Sequence, residues 1–309
     1  MTAIGANPSA WGRRAFRWLG MVTLSVLVTG VAAAANPRHG AVAAELMRIH
    51  QDHPSHGQRL DALSALFVGK PFARSPLGEG PAGRVDTDPI ARFDRFDCVT
   101  YVEQVMALSW HDGLDVAIAE LQRLRYTDGH IRYGARKHIM MAQWIPENLA
   151  AGYVKDITTA VAGSQASVAE LTLDEADFVS AAGRRLRLPR ADRPLGVYRL
   201  PILPVQHLVA RRDRLPHGTI ITSIRAERRD VLYRASHVGL VIVDSRGHRM
   251  VRHAHRRRGK VIEQSIEAFA RSAQRGRRWP IVGFNLLAIA SRPPQGARPE
   301  PVAIPDRGR

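Results

Sequence analysis

Cys98 is the only cysteine in the 309-residue sequence and the side chain best suited to nucleophilic chemistry. It follows Asp97 and opens an apolar stretch with helical spacing, so it is predicted to lie where a loop becomes a helix. The unsatisfied amides and the positive end of the dipole at a helix start favour a thiolate. The alternative for Cys98 is a small buried apolar side chain on the inner face of that helix.

His237 is the candidate general base, because it stands at the start of an otherwise apolar run, Ser236–Val243. A second run, Met250–His255, is predicted to return antiparallel to it. If residues 243 and 249 are opposed, period-two alternation places His253 and His255 on the face of His237. One of the two could orient the base, which gives a nucleophile, a base and an orienting residue.

The same three histidines also form the His-X-His strand pattern of three-histidine zinc sites. That interpretation leaves Cys98 without a role. It also requires three ring nitrogens to converge at about 2 Å from one ion. We therefore predict a site without a metal or other cofactor and keep the zinc site as the alternative.

Two kinds of element are needed to position these residues. Helical spacing predicts two helices between Ala41 and Phe67, broken at His53-Pro54-Ser55, and further helices over Asp97–Trp110 and from Gly113 to Leu124. A long loop, Lys70–Phe93, and a partly helical stretch, Ser167–Arg187, are also predicted. Short β-rich runs follow at Thr219–Ile224, Ser236–Val243, Met250–His255 and Ile281–Ala288. Helices followed by strands predict an α+β fold, with a helical N-terminal half packed on an antiparallel sheet.

The N-terminus has the pattern of an export signal. Three arginines precede an apolar run, Trp18–Ala35, that ends in Ala33-Ala34-Ala35, a small-residue cleavage pattern that predicts a signal peptide over residues 1–35. The alternative is an uncleaved anchor that would tether the protein to the membrane. We expect an exported protein of the periplasm or cell envelope, with one domain over residues 36–290 and a disordered Pro/Arg-rich tail over 291–309.

Export makes the lone cysteine unusual, because oxidising compartments favour paired cysteines, and a reactive thiol is one explanation. The formal net charge is +17, which suits a polyanionic environment. The basic residues are scattered, with few aromatic residues among them, so we predict no nucleic-acid partner.

Several blocks of the sequence resemble the N-acetylmuramoyl-L-alanine amidase-like family, a branch of the NlpC-type papain-like cell-wall hydrolases. The blocks occur in the family's order over most of residues 45–290. They are Phe96–Glu103, Leu124–Gly129, Arg136–His138 with Trp144-Ile145, Ser236–Leu240 and Val251–Ala254.

The resemblance implies a papain-like cysteine amidohydrolase with Cys98 as nucleophile, His237 as general base and His253 as the residue that holds the imidazole. It also implies that the substrates and partners are muropeptides, which are soluble fragments of peptidoglycan. The bond cut would be the amide between N-acetylmuramic acid and L-alanine. Related branches instead cut the γ-D-glutamyl–diaminopimelate bond. A non-catalytic wall-binding module is the remaining alternative, and the retention of all three polar residues argues against it.

Five residues are predicted to bind substrate. A guanidinium can hold a carboxylate and an indole can cover a sugar, which favours Arg136, His138 and Trp144; Asp97 and Ser236 precede the nucleophile and the base. The sequence departs from the family at three places. His255 and then Arg256–Arg258 follow Ala254 where a small hydroxyl residue is usual, Gln143 replaces an acid beside Trp144, and Leu171–Arg187 resembles nothing in the family.

Overall fold

The structure is a computed structural model that describes residues 37–228, 231–275 and 278–294. The predicted signal peptide and residues 295–309 of the predicted tail lie outside these ranges. Within them, no helix combines the length and apolar character that crossing a bilayer requires.

The N-terminal half is helical, as predicted. Ser55 caps the second helix in a reciprocal pair of hydrogen bonds with Gln58, which explains the break between the first two helices. The predicted helices at Cys98 and after Gly113 are both present. The helices are α1 Pro37–Asp52, α2 His56–Leu66, α3 Cys98–Trp110, α4 Leu114–Arg125, α5 Ile145–Ala150, α6 Thr158–Ala162, α7 Glu175–Val179, α8 Ala181–Leu186, α9 Leu208–Arg211 and α10 Ile266–Gln274.

The strands form one antiparallel sheet, and the four predicted runs are its β4, β5, β6 and β8. The strands are β1 Val154–Asp156, β2 Ser167–Leu173, β3 Gly196–Pro204, β4 Thr219–Arg225, β5 Ala235–Val243, β6 Arg249–His255, β7 Lys260–Ser265 and β8 Ile281–Ile289. Their order is β2-β3-β8-β4-β5-β6-β7, and β1 pairs with β8. A mixed fold of helices and an antiparallel sheet is therefore confirmed.

The partly helical prediction for Ser167–Arg187 is wrong over its first seven residues. They form β2, which pairs with β3, a strand that the sequence did not reveal. Pro201 and Pro204 lie in β3 and weaken the strand pattern, because proline cannot donate to a sheet. Only α7 and α8 fulfil the helical part of the prediction.

The sheet buries both faces. Helices α1 to α4 pack on one face, where Val238, Leu240 and Ile242 of β5 join their core cluster. Helix α10 packs on the other face, where Val241 of β5 and Val251 of β6 join a second cluster that includes Phe269. This alternation along β5 places consecutive residues against different layers, which matters for the histidine at its start.

Candidate active site

Helix α3 starts at Cys98 because Asp97 caps it. One carboxylate oxygen of Asp97 accepts hydrogen bonds from the amides of Val99 at 3.1 Å and Thr100 at 2.8 Å. The other oxygen accepts one from the amide of Ser75 at 3.1 Å. Asp97 thus fixes the position of the thiol and joins the preceding loop to the helix; a contact of Asp97 with substrate stays a prediction.

The expectation that the helix start makes Cys98 a thiolate is wrong for this structure. Burial raises the pKa of the Cys98 thiol to about 12, and the negative charge of Asp97 acts in the same direction. The backbone amides of Val238, Cys98 and Val99 favour the thiolate but do not outweigh the loss of solvation. The thiol is neutral at neutral pH.

His237 and His253 form a hydrogen-bonded pair on the neighbouring strands β5 and β6. Nε2 of His237 lies 2.6 Å from Nδ1 of His253, and the rings meet edge to face with centroids 4.7 Å apart. The predicted opposition of residues 243 and 249 is confirmed, and it places both rings on one face of the hairpin. His255 lies beside His253, at a centroid distance of 5.3 Å, and its Nδ1 accepts the amide of Arg258.

The close approach of the two strands at this pair requires a glycine. A Cβ at Gly239 would lie 3.0 Å from Cβ of His253 and 2.8 Å from a methyl group of Val251. On the other side, the ring of Phe269 in α10 packs against both imidazoles. The histidine pair therefore lies between the backbone of Gly239, which has no side chain, and the ring of Phe269.

Both histidines of the pair are neutral at neutral pH. Burial, together with the smaller effects of the charges of His255 and Arg225, lowers the pKa of His237 to about 4. Burial lowers the pKa of His253 to about 2. Nε2 of His253 is buried and has no hydrogen-bond partner among the described residues.

The thiol lies against the backbone of β5 on the α3 side of the sheet, together with Val238. The ring of His237 instead packs with Phe269 on the α10 side. The amide of Val238, the residue after His237, is one of the backbone groups that act on the sulfur. In the described part of the chain, no hydrogen bond joins Cys98 to His237, and the only hydrogen bond of His237's ring is through Nε2. A direct contact between the thiol and the imidazole of His237 therefore stays a prediction.

Four of the five predicted substrate-binding residues line a single cavity of about 160 Å³, which Val99 also lines but Cys98 does not. This volume is below that of a typical whole-ligand pocket, so the cavity could hold only part of a muropeptide. The four residues are Asp97, Arg136, His138 and Trp144. Ser236 lies elsewhere, on a β-bulge of β5, where its hydroxyl donates to the carbonyl of Ser223 at 3.4 Å.

Arg136 has internal partners that balance its charge. Its guanidinium donates to Glu79 and, at 2.9 Å, to Asp86. His138 bonds the carbonyl of Tyr133 through Nε2 at 2.7 Å, and burial lowers its pKa to about 4. A ligand carboxylate would compete with Glu79 and Asp86 for Arg136, so the predicted carboxylate binding has no support from this geometry.

The expected stacking of Trp144 on a sugar is not supported either, because the residue is only 1% exposed. Trp144 ends a π-helical turn, and its indole donates to Glu103 at 2.8 Å. Glu103 also pairs with Arg125 at 2.6 Å. Sequence reasoning missed this buried pair, although a charged residue in a helix that is buried on all sides signals a partner.

The histidines do not have the arrangement of the alternative zinc site. Nε2 of His237 and Nδ1 of His253 face each other at hydrogen-bond distance rather than a common point. Across the described ranges, no group of three or more His, Cys, Asp or Glu side chains has the spacing of a metal site.

Helix α3 begins at the only cysteine and packs on the antiparallel sheet that carries the histidine pair. Comparison with family models matches residues 62–276 to the N-acetylmuramoyl-L-alanine amidase-like family. The chain belongs to that family, as its motifs predicted. Membership indicates a peptidoglycan amidase, a hydrolase of amide bonds that acts on material derived from peptidoglycan.

Solved structures share the fold at low sequence identity. A Legionella pneumophila protein superposes with a TM-score of 0.69 at 22% identity, covering 81% of this chain and 95% of that one. An N-acetylmuramoyl-L-alanine amidase from Bacteroides uniformis gives 0.60 at 18%, covering 76% and 99%. A putative xylanase from Bacteroides fragilis gives 0.58 at 23%, covering 74% and 100%. No curated protein matches the sequence significantly. At these identities the structures support the fold alone.

Proposed function

We propose that the protein is a papain-like cysteine amidohydrolase that cleaves muropeptides at the amide between N-acetylmuramic acid and L-alanine. The observation that carries this proposal is the 2.6 Å contact of His237 and His253, on the strand whose next residue, Val238, lies against the only cysteine at the start of α3. A protein that only binds wall polymers has no need of an aligned histidine pair on the strand that covers a thiol.

The hydrogen bond within the pair determines which nitrogen can act as the base. If Nε2 of His237 carries the proton, it donates to Nδ1 of His253 and leaves Nδ1 of His237 with a free lone pair. His253 then carries its own proton on Nε2. The opposite arrangement would protonate Nδ1 of His237 and remove the base, so His253 acts by fixing the productive tautomer.

The neutral thiol requires proton transfer during attack. Nδ1 of His237 accepts the thiol proton as sulfur attacks the lactyl carbonyl carbon, and the imidazolium then protonates the nitrogen of L-alanine as the C–N bond breaks. Water, activated by the same nitrogen, hydrolyses the resulting thioester and frees a carboxylate. The amide of Cys98 at the start of α3 is the donor we assign to the oxyanion.

The test is incubation of the mature protein with defined muropeptides and mass analysis of the products, beside a Cys98→Ala variant. We expect free peptide that starts at L-alanine from the native protein and none from Cys98→Ala. Cys98→Ser serves as a matched control, because it keeps the size and a hydroxyl but removes the thiol.

Other outcomes would replace the proposal. Release of a fragment that begins with diaminopimelate would assign the γ-D-glutamyl endopeptidase reaction to the same residues. Activity that survives Cys98→Ala but is lost with a chelator would assign the chemistry to a metal.

We further propose that the protein is exported and acts in the periplasm or cell envelope, after removal of residues 1–35 or while tethered by them. The apolar run before residue 36 and the alanines that end it support this proposal. Fractionation of cells, with N-terminal sequencing of the product, distinguishes a cleaved from a tethered form.

A further inference from the structure

Five basic side chains form an exposed cluster next to the site that the reaction does not use. We call this cluster the basic rim, and it consists of Arg74, Arg256, Arg257, Arg258 and Lys260. All five are exposed, and none forms an ion pair with a carboxylate among the described residues. By contrast, Arg252 on β6 pairs with Asp61 and Glu263.

Backbone hydrogen bonds place the rim at the edge of the site. Arg256 to Arg258 directly follow His255, whose ring lies 5.3 Å from that of His253. The turn then ends at Gly259, whose carbonyl accepts the amide of Phe72 at 2.8 Å. Arg256 of the rim is therefore the residue next to His255, whose ring neighbours that of His253.

The loop that carries Arg74 joins the turn to the nucleophile. Ala73 donates to the carbonyl of Phe96 at 2.9 Å, and Ser75 donates to the carboxylate of Asp97. Arg74 thus lies between the turn after β6 and the residue that precedes Cys98. Ser75 also lines the cavity at the start of α3, so the rim borders both the histidines and that cavity.

The charge of the rim is not balanced internally, in contrast to that of Arg136. Arg136 is satisfied by Glu79 and Asp86, which leaves it poorly suited to a ligand carboxylate. Exposed, unpaired guanidinium groups bind carboxylates readily, often through two parallel hydrogen bonds. A ligand that reaches from the cavity past the histidines would place its next charged groups over these side chains.

We propose that the basic rim binds the carboxylates of the substrate's acidic peptide and so selects acidic peptides over neutral ones. This inference rests on the proposed function, because it assigns a subsite to the same reaction. The rim acts through long-range attraction and exposed contacts, so its contribution is expected mainly in KM and to weaken with salt.

The experiment compares two muropeptides that differ only in charge, one with free peptide carboxylates and one with these groups converted to carboxamides. Arg257→Gln/Arg258→Gln is compared with the matched variant Arg214→Gln/Arg246→Gln. Arg214 and Arg246 are exposed residues near the opposite end of the β5–β6 hairpin, about 20 Å away along the strands.

With the acidic peptide, we expect the rim variant to raise KM at least about tenfold and to leave kcat unchanged. The carboxamide peptide should show no such difference, and the matched variant should behave as native protein with both. High salt should raise KM for the acidic peptide with native protein and much less with the rim variant. Equal KM changes in the two double variants, or equal effects on the two peptides, would overturn the proposal.

Binding to the Cys98→Ala variant separates this proposal from the proposed function. Calorimetric titration with the two peptides measures the rim's preference without turnover. Preferential binding of the acidic peptide that disappears with the rim substitutions supports the rim even if native protein cleaves neither peptide. Equal binding of both peptides refutes the rim even if native protein is an active amidase.

Discussion

At the scale of single residues, the site combines a neutral thiol with a neutral imidazole. Burial acts on both: it raises the pKa of Cys98 and lowers the pKa of His237. A preformed ion pair of thiolate and imidazolium is therefore disfavoured before substrate binds. In the proposed reaction, the charge pair forms during attack, when the substrate carbonyl and the backbone amides can stabilise it.

His253 offers a direct test of the tautomer role. Asparagine places its side-chain oxygen where Nδ1 of histidine lies, so His253→Asn keeps an acceptor for Nε2 of His237. Nε2 of His253 has no hydrogen-bond partner among the described residues, so removing this nitrogen in His253→Asn breaks no hydrogen bond among them. We expect His253→Asn to retain most of kcat and His253→Leu, which fills space without an acceptor, to lose about 100-fold.

The pH profile distinguishes positioning of the base from a merely structural role. In His253→Leu the low-pH side of the plot of kcat against pH should be altered. In His253→Asn it should match that of the native protein. Thermal unfolding of both variants controls for stability. Equal kcat values in the two folded variants would refute a role for the acceptor.

Sequence alone predicted that His237 and His253 come together, but not the charge states of these residues and of Cys98. The spacing of His237 and His253 on two consecutive strands predicted that they share a face. The helix start at Cys98 predicted a thiolate, and burial reverses this, because desolvation depends on how other elements cover the sulfur. Burial also closes Trp144 to ligands, which residue type cannot indicate.

At the scale of elements, the start of α3 has two opposed electrostatic effects. Its amides favour a negative charge on Cys98, while the carboxylate of Asp97 that caps the helix disfavours one. The cap fixes the sulfur in place and at the same time suppresses ionisation.

Asp97→Asn separates these two effects. Asparagine still accepts hydrogen bonds at a helix N-cap, so the helix start is kept while the negative charge is removed. We expect the pKa of Cys98 to fall and its alkylation by iodoacetamide at pH 8 to accelerate by up to about tenfold, the effect of one pKa unit. Asp115→Asn, in the first turn of α4, is the matched control and should leave the rate unchanged.

Loss of the cap itself gives a different result. Asp97→Ala also removes the acceptor and should lower stability by about 1 kcal/mol. An unchanged alkylation rate in Asp97→Asn would show that the carboxylate does not act on the thiol.

Elements with a strong pattern were predictable, and elements that depend on distant partners were not. Helices α2 and α3 have recognisable caps and apolar spacing, and β5 is almost continuously apolar. Strand β2 is an edge strand whose exposed face carries charge, with Glu170 paired to Arg199 of β3. Its strand form depends on pairing with a proline-containing partner, which no local pattern shows.

At the scale of the whole molecule, buried neutral histidines couple stability to pH. Six described histidines have a pKa below the ordinary value, chiefly because burial disfavours their charged form: His50, His56, His138, His237, His253 and His255. Below about pH 6.5 the unfolded chain binds protons that the native protein does not. This contribution to stability is therefore complete above pH 6.5 and declines as the pH falls towards 4.

We expect urea unfolding at pH 7.5, 6.5, 5.5 and 4.5 to show a free energy of unfolding that falls below pH 6.5. Each fully buried histidine contributes up to about 1.4 kcal/mol per pH unit. Glu103, whose pKa burial raises, acts in the opposite sense, but it is one group against several. A free energy that is constant or rises between pH 6.5 and 4.5 would contradict this prediction.

The two halves of the site come from opposite halves of the chain: the thiol from α3, the histidines from the sheet formed after it. A nascent polypeptide that has emerged only as far as α4 carries the nucleophile without its base. In the proposed reaction, the thiol therefore gains its base only after synthesis has passed β6.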